Sequence, residues 1–152
     1  MIYIEAVSNK VIPKGIPSLF MGGGITNCPD WQADMKEQLQ DLEIVLINPR
    51  RLDFPMHDPN AAREQIEWEH RRLKEVDAIG FWFPKETLCP ITLYELGAWT
   101  VQQKPLFIGA HPGYQRLQDV EIQTNLVRPN TLIHRSVEDL CLAIRTWRTY
   151  AV

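Results

Sequence analysis

Two glutamates of this chain stand where a carboxylate can act as a nucleophile or carry a proton. Glu95 lies in the run Pro90-Ile91-Thr92-Leu93-Tyr94-Glu95-Leu96-Gly97-Ala98, which opens a helix directly after a strand-end loop. Thr92 and Glu95 have capping-box spacing, so Glu95 can reach back to the Thr92 amide in a purely structural role. The same placement sets a carboxylate in the first helical turn at the mouth of a cleft. There the positive end of the helix keeps it ionised, and an ionised carboxylate is what attack at an anomeric carbon requires. Spacing alone favours the cap.

Glu69 is the second candidate. In the helix expected from Asn60 to about Val76, the apolar positions Ala62, Ile66, Leu73 and Val76 keep helical spacing, and Glu69 completes their stripe. A carboxylate inside a core-facing stripe is costly unless paired or hydrogen-bonded, and a dry site raises its pKa. The alternative is a carboxylate at the edge of the stripe, paired in solvent with Arg63 or Arg72. Periodicity does not choose between them.

The third feature is Gly22-Gly23-Gly24-Ile25-Thr26-Asn27, which follows a short apolar strand and opens a helix. Glycines let a backbone approach a ligand closely, and a helix N-terminus favours anionic or acceptor groups. The pattern is neither GxGxxG nor a P-loop, so neither nucleotide fingerprint is met. One glycine would suffice for a tight turn; three favour binding. Gly97 is expected to let its helix pack closely on the sheet. His57, His70, His111 and His134 show no metal-ligand spacing, so no metal site is expected. Cys89, before Pro90, reads as a small buried residue rather than a nucleophile. Trp68, Trp82 and Trp99 read as core or interface.

These groups need a scaffold, and the apolar runs supply one. Strands are expected over 2–7, 18–21, 43–47, 77–83, 105–110 and 131–134, the first of them a short strand leading into an arm that reaches residue 17. Helices are expected over 27–42, capped by Asn27, then 60–76, 92–102, 119–126 and 136–147. The strand runs are continuous rather than alternating, as parallel strands covered on both faces should be. The prediction is an α/β fold, a doubly wound (flavodoxin-like or Rossmann-like) parallel sheet of about five strands in a single domain over 1–152. Ligands bind such sheets outside the carboxyl ends of their strands, which is where both glutamates and the glycines fall.

Composition narrows the class further. The 152 residues suit one domain, and the 45% hydrophobic and 23% charged content is that of an ordinary globular chain. A net charge of −3 implies no general attraction to nucleic acid or acidic membrane. The three cysteines, Cys28, Cys89 and Cys141, are odd in number and widely spaced. That argues against a disulfide framework and for a reducing compartment. No signal peptide is read in residues 1–11, and no run approaches the roughly 18 apolar residues of a membrane span. A cytoplasmic protein is expected, with no nucleic-acid or membrane partner.

Three segments, taken together, resemble a known family. Residues 20–31, FMGGGITNCPDW, look like the first loop of nucleoside 2-deoxyribosyltransferase-like proteins. The run from Arg63 to Glu69 followed by Val76-Asp77-Ala78-Ile79 resembles their second helix and third strand. Residues 90–97 resemble their catalytic segment. The similarity spans about residues 18–108, with the motifs in order. It implies that Glu95 is the nucleophile and Glu69 a cleft carboxylate. It also implies that Gly22, Gly23, Gly24, Ile25, Thr26 and Asn27 shape the sugar or phosphate pocket, with Gln65 and Tyr94 as further substrate contacts.

The chain departs from the pattern at Cys89, six residues before Glu95, where many such transferases carry Asp or Ser. The expected substrate is a 2′-deoxynucleoside or its 5′-monophosphate, cleaved at the N-glycosidic bond through a covalent deoxyribosyl-Glu intermediate. The resemblance also implies a homo-oligomer, and no cofactor. A hydrolase of the same fold and a non-catalytic nucleotide sensor are the rival readings. A phospho-receiver is set aside, because three glycines stand where its acidic residues should be.

Overall fold

The computed structural model describes residues 1–150, with side chains described as far as Trp147. Six strands form one all-parallel sheet: β1 (Ile2–Glu5), β2 (Ser18–Gly23), β3 (Val45–Asn48), β4 (Ala78–Phe83), β5 (Leu106–Ala110) and β6 (Ile133–His134), in the order β1-β3-β2-β4-β5-β6. The helices are α1 (Trp31–Gln38), α2 (Ala61–Glu75), α3 (Pro90–Thr100), α4 (Leu117–Val127) and α5 (Val137–Tyr150). The doubly wound parallel sheet expected from the apolar runs is present, with one strand more than five. The extra strand is β1, which pairs with β3 at the sheet edge, from Ile2 against Val45 to Glu5 against Asn48.

The strands are unbroken apolar runs because both faces are covered. Alternate residues serve opposite layers. Phe20, Ile79, Phe81 and Phe83 pack with Trp68 and Leu73 of α2, Leu96 of α3 and Val120 of α4. Leu19, Met21, Ala78 and Trp82 pack on the other face with Trp31 and Met35 of α1 and Leu140 and Ile144 of α5. This two-sided burial removes the strict polar alternation of a half-exposed sheet.

Helix α2 faces the core differently from the expected stripe. Its buried residues are Ala61, Trp68, Arg72 and Leu73, whereas Ala62 is exposed and Ile66 is 64% exposed. The reason is the N-terminal arm. Trp68 Nε1 donates to the Ser8 carbonyl at 2.7 Å, and Arg72 donates to the Ser8 and Lys10 carbonyls at 2.7 Å each. Trp68, expected in the core or at an interface, and Arg72, expected at the solvent edge, are buried where the stripe had placed Ala62 and Ile66. Asp77, outside any strand, accepts from both the amide and hydroxyl of Ser18 at 2.8 Å, and so aligns the starts of β2 and β4.

Strand β2 pairs with β3 on one side and β4 on the other. The chain runs from β2 out to β3 and then crosses back to β4, so strand order reverses at β2/β4. Such a switch point opens a crevice at the carboxyl ends of the strands. No helix among the described residues is long and apolar enough to cross a membrane.

Candidate active site

A cleft of about 420 Å³ opens at that switch point. One wall is the end of β2 and the loop after it, Gly22, Gly23, Gly24, Ile25 and Thr26. The opposite wall is the start of α3, with Pro90, Ile91, Thr92 and Glu95, and Glu69 of α2 completes it. Phe20 and Pro49 also line the cleft, and Thr87 and Cys89 flank the start of α3. The described residues lining it include two carboxylates and no Lys, Arg or His side chain.

The glycines turn out to be required for a reason other than ligand approach. A Cβ built on Gly23 would stand 2.3 Å from the Trp82 carbonyl oxygen and 2.6 Å from the Trp31 ring. One on Gly24 would meet the Pro84 ring at 2.7 Å and Cys89 Sγ at 2.9 Å. One on Gly22 would meet the Phe81 ring at 3.0 Å. The protein itself fills the space that side chains would take, which lets the loop lie flat against β4 and the start of α3. Trp31 Nε1 then donates to the Gly24 carbonyl at 2.8 Å and fixes the turn. Asn27 does not cap α1. It sits exposed at φ 56°, and Asp30 caps instead, accepting from the Ala33 amide at 3.1 Å. Asn27 also lies outside the cleft wall.

The N-cap of helix α3 lies three residues earlier than the capping-box pattern at Thr92 suggests. Cys89 is the N-cap residue, in the left-handed region at φ 49°, and Pro90 occupies the first helical position. Proline suits that position because its missing N–H has no helical partner there. Glu95 therefore sits in the second turn, facing the cleft, and no hydrogen bond ties it to the Thr92 amide. Gly97 is exposed, with open space where a Cβ would stand, so it does not mediate packing on the sheet.

The electrostatics also differ from the expected. Burial pushes Glu95 from 4.5 up to about 8, and the charge of Glu69 adds to the rise. The expectation of a carboxylate kept ionised by the helix end fails, because desolvation and a like charge outweigh the dipole in a second-turn position. Glu69 is raised too, by burial, against a lowering hydrogen bond from Gln65. Gln65 Nε2 donates to Glu69 Oε1 at 2.6 Å and to the Pro49 carbonyl at 2.8 Å, so Gln65 orients Glu69 from behind the cleft wall. Tyr94 is 79% exposed and lines a separate groove between α2 and α3, beside Ile66, Ile91 and Trp99. Glu69 and Glu95 line both spaces.

The residues that sequence reasoning missed are Phe20, Pro49 and Thr92 as cleft walls, and Arg50 behind the loop. Pro49 and Arg50 follow a strand end, which was the available signal. Cys89 is buried and free, as are the other cysteines in being unbridged. Burial pushes its thiol up to about 12, so it is no thiolate nucleophile. Among the described residues no group of three or more His, Cys, Asp or Glu side chains is arranged to hold a metal ion.

The sheet has a flavodoxin-like strand order, and two carboxylates, Glu69 and Glu95, line the cleft at its switch point. Residues 16–114 match the family described as nucleoside 2-deoxyribosyltransferase like, and the chain belongs to that family. No curated protein gave a match.

The raised carboxyl carries a stability consequence with a definite sign. Between 4.5 and about 8, folded Glu95 holds a proton that the unfolded chain has lost. Stability therefore falls as pH rises through that window. Glu95→Gln, which cannot ionise, should melt at nearly the wild-type temperature at about pH 5 and clearly above it at about pH 9. Differential scanning fluorimetry at both pH values checks this; an equal difference at both would contradict the buried, raised carboxyl.

Proposed function

We propose that the protein cleaves the N-glycosidic bond of 2′-deoxynucleosides or their 5′-monophosphates, with Glu95 as nucleophile. The observation that carries this reading is the meeting of Glu95, Glu69 and the glycine-rich loop in one cleft at the switch point. The nucleobase leaves as a carboxylate oxygen of Glu95 bonds to C1′, through an oxocarbenium-like transition state. The resulting deoxyribosyl ester is then taken by a second base or by water, with net retention.

The raised pair suits the proton accounting of this reaction. Two buried carboxyls that repel each other hold a proton near neutrality. Glu95 holds that proton in the resting site; for attack it passes to Glu69, the carboxylate that Gln65 orients, which can then hand it to the departing base. General acid assistance of this kind is worth roughly 10²–10⁴-fold. The backbone of Gly22, Gly23, Gly24, Ile25 and Thr26 shapes the sugar side of the pocket. No metal or organic cofactor enters the scheme.

The groove between α2 and α3 supports a homo-oligomer. Ile66, Ile91 and Tyr94 are each more than 60% exposed along it, and exposed apolar side chains gathered in one groove suit a contact with a second copy. A second copy covering it would also dry Glu69 and Glu95 from that side. Sedimentation of the wild type should give a dimer or larger, and Ile66→Asp should shift it toward monomer; a wild-type monomer at micromolar concentration would remove the assembly.

The chemistry is tested by intact-protein mass after mixing with a panel of deoxynucleosides and deoxynucleotides. The expected result is a gain of one deoxyribosyl unit (or its phosphate), mapped to Glu95 and absent from Glu95→Ala. Adding a second free base should raise turnover if the enzyme transfers and leave it unchanged if it hydrolyses. Near-wild-type activity in Glu95→Gln would end the nucleophile assignment.

A further inference from the structure

Residues 24–30 carry a cleft wall without regular secondary structure of their own. At one end the Gly24 amide donates to the Trp82 carbonyl at 3.3 Å and the Gly24 carbonyl receives Trp31 Nε1. The middle of the loop is held by a single side chain from another strand end. Arg50 Nη1 donates to the Ile25 carbonyl at 3.1 Å, and Nη2 to the Pro29 carbonyl at 3.0 Å and toward Cys28 Sγ at 3.8 Å. Its Nε donates to Gln32 Oε1 at 2.9 Å and pairs with Asp30 at 3.2 Å.

The guanidinium is itself fixed. Its side chain is 11% exposed, and its backbone amide donates to Asn48 Oδ1 at 2.9 Å, while Asn48 Nδ2 donates to the Tyr3 hydroxyl at 2.8 Å. The loop is thus tied through one residue to β3 and β1. Arg50 does not line the cleft, whereas Ile25 and Thr26 do. Only a planar fork of five donors satisfies this set of acceptors; an ammonium on a flexible stem does not.

We infer that Arg50 is a positioning residue, holding the loop over residues 25–29 in the shape that presents Ile25 and Thr26 to the substrate. It acts on binding through the loop, not on the reacting atoms. The kinetic part of this inference rests on the glycosidic-bond reading above, while the loop-holding part does not.

The test compares Arg50→Gln and Arg50→Lys with Ile144→Ala, a fully buried α5 residue that makes none of the loop's hydrogen bonds. Met35→Ala, which packs in the same cluster as Trp31, serves as a second core control. Two readouts are taken: amide hydrogen exchange over residues 24–30, and kcat and KM with deoxyadenosine, deoxyguanosine, deoxycytidine and thymidine. Both Arg50 variants should exchange faster in the loop while the sheet stays protected. They should also raise KM by on the order of tenfold to a hundredfold, with kcat nearly kept. Both core variants should lower Tm, and Ile144→Ala should leave loop exchange and KM unchanged. Loop exchange in the Arg50 variants that matches Ile144→Ala, or a loss confined to kcat, would overturn the inference. If the wild type turns over none of these nucleosides, the kinetic part falls, and the exchange contrast alone decides whether Arg50 holds the loop.

Discussion

The structure depends on two half-buried carboxyl groups lying within each other's field at one cleft. Isolated buried charges are unfavourable, and a protein keeps them only by pairing them, protonating them or using them. Here the lining of the cleft supplies no cation, and both groups are shifted upward together. Pairs of titratable groups pushed upward in a cleft mark functional sites more often than structural ones.

The rest of the molecule can be seen as the means of holding that pair in place. Glu69 and Glu95 sit on α2 and α3, and both helices are fastened at their far ends by cationic side chains. Lys104 Nζ donates to the Leu73 and Lys74 carbonyls of α2, at 2.6 and 3.0 Å. Arg128 donates to the Trp99 and Thr100 carbonyls of α3, at 3.2 and 2.7 Å, and to those of Gln102 and Lys104 just beyond it. Cations are favourable where a helix leaves carbonyls unpaired. The opposite cleft wall is held by Trp31, by Arg50 and by glycines whose missing side chains leave room for Trp82, Pro84 and Cys89.

The fold was legible because two-sided burial leaves a plain signature: apolar strands without alternation, separated by helical runs and ended by Gly, Asn or Pro. The weak points were local. Helix starts were misplaced at Asn27 and Thr92, because Asp30 and the left-handed Cys89 take the capping positions, and neither geometry follows from residue type. The α2 stripe was misjudged because Trp68 and Arg72 are buried by the N-terminal arm, a contact about 60 residues distant in sequence. Glu69 reached the cleft nonetheless. Glu95 was legible by its place after a strand end, but its protonation was not, since that depends on a neighbour 26 positions earlier in sequence and on how dry the cleft is. Tyr94, a substrate contact by resemblance, lies one helical step from Glu95 and so on another face, along the groove between α2 and α3.

The most direct measurement is a site-resolved titration of the Glu95 carboxyl, by isotope-edited NMR from about pH 4 to about pH 10, in the wild type and in Glu69→Gln. The account predicts deprotonation near about 8 in the wild type and at a lower pH once the Glu69 charge is removed. A Glu95 that titrates in the ordinary carboxylate range, unmoved by Glu69→Gln, would contradict it.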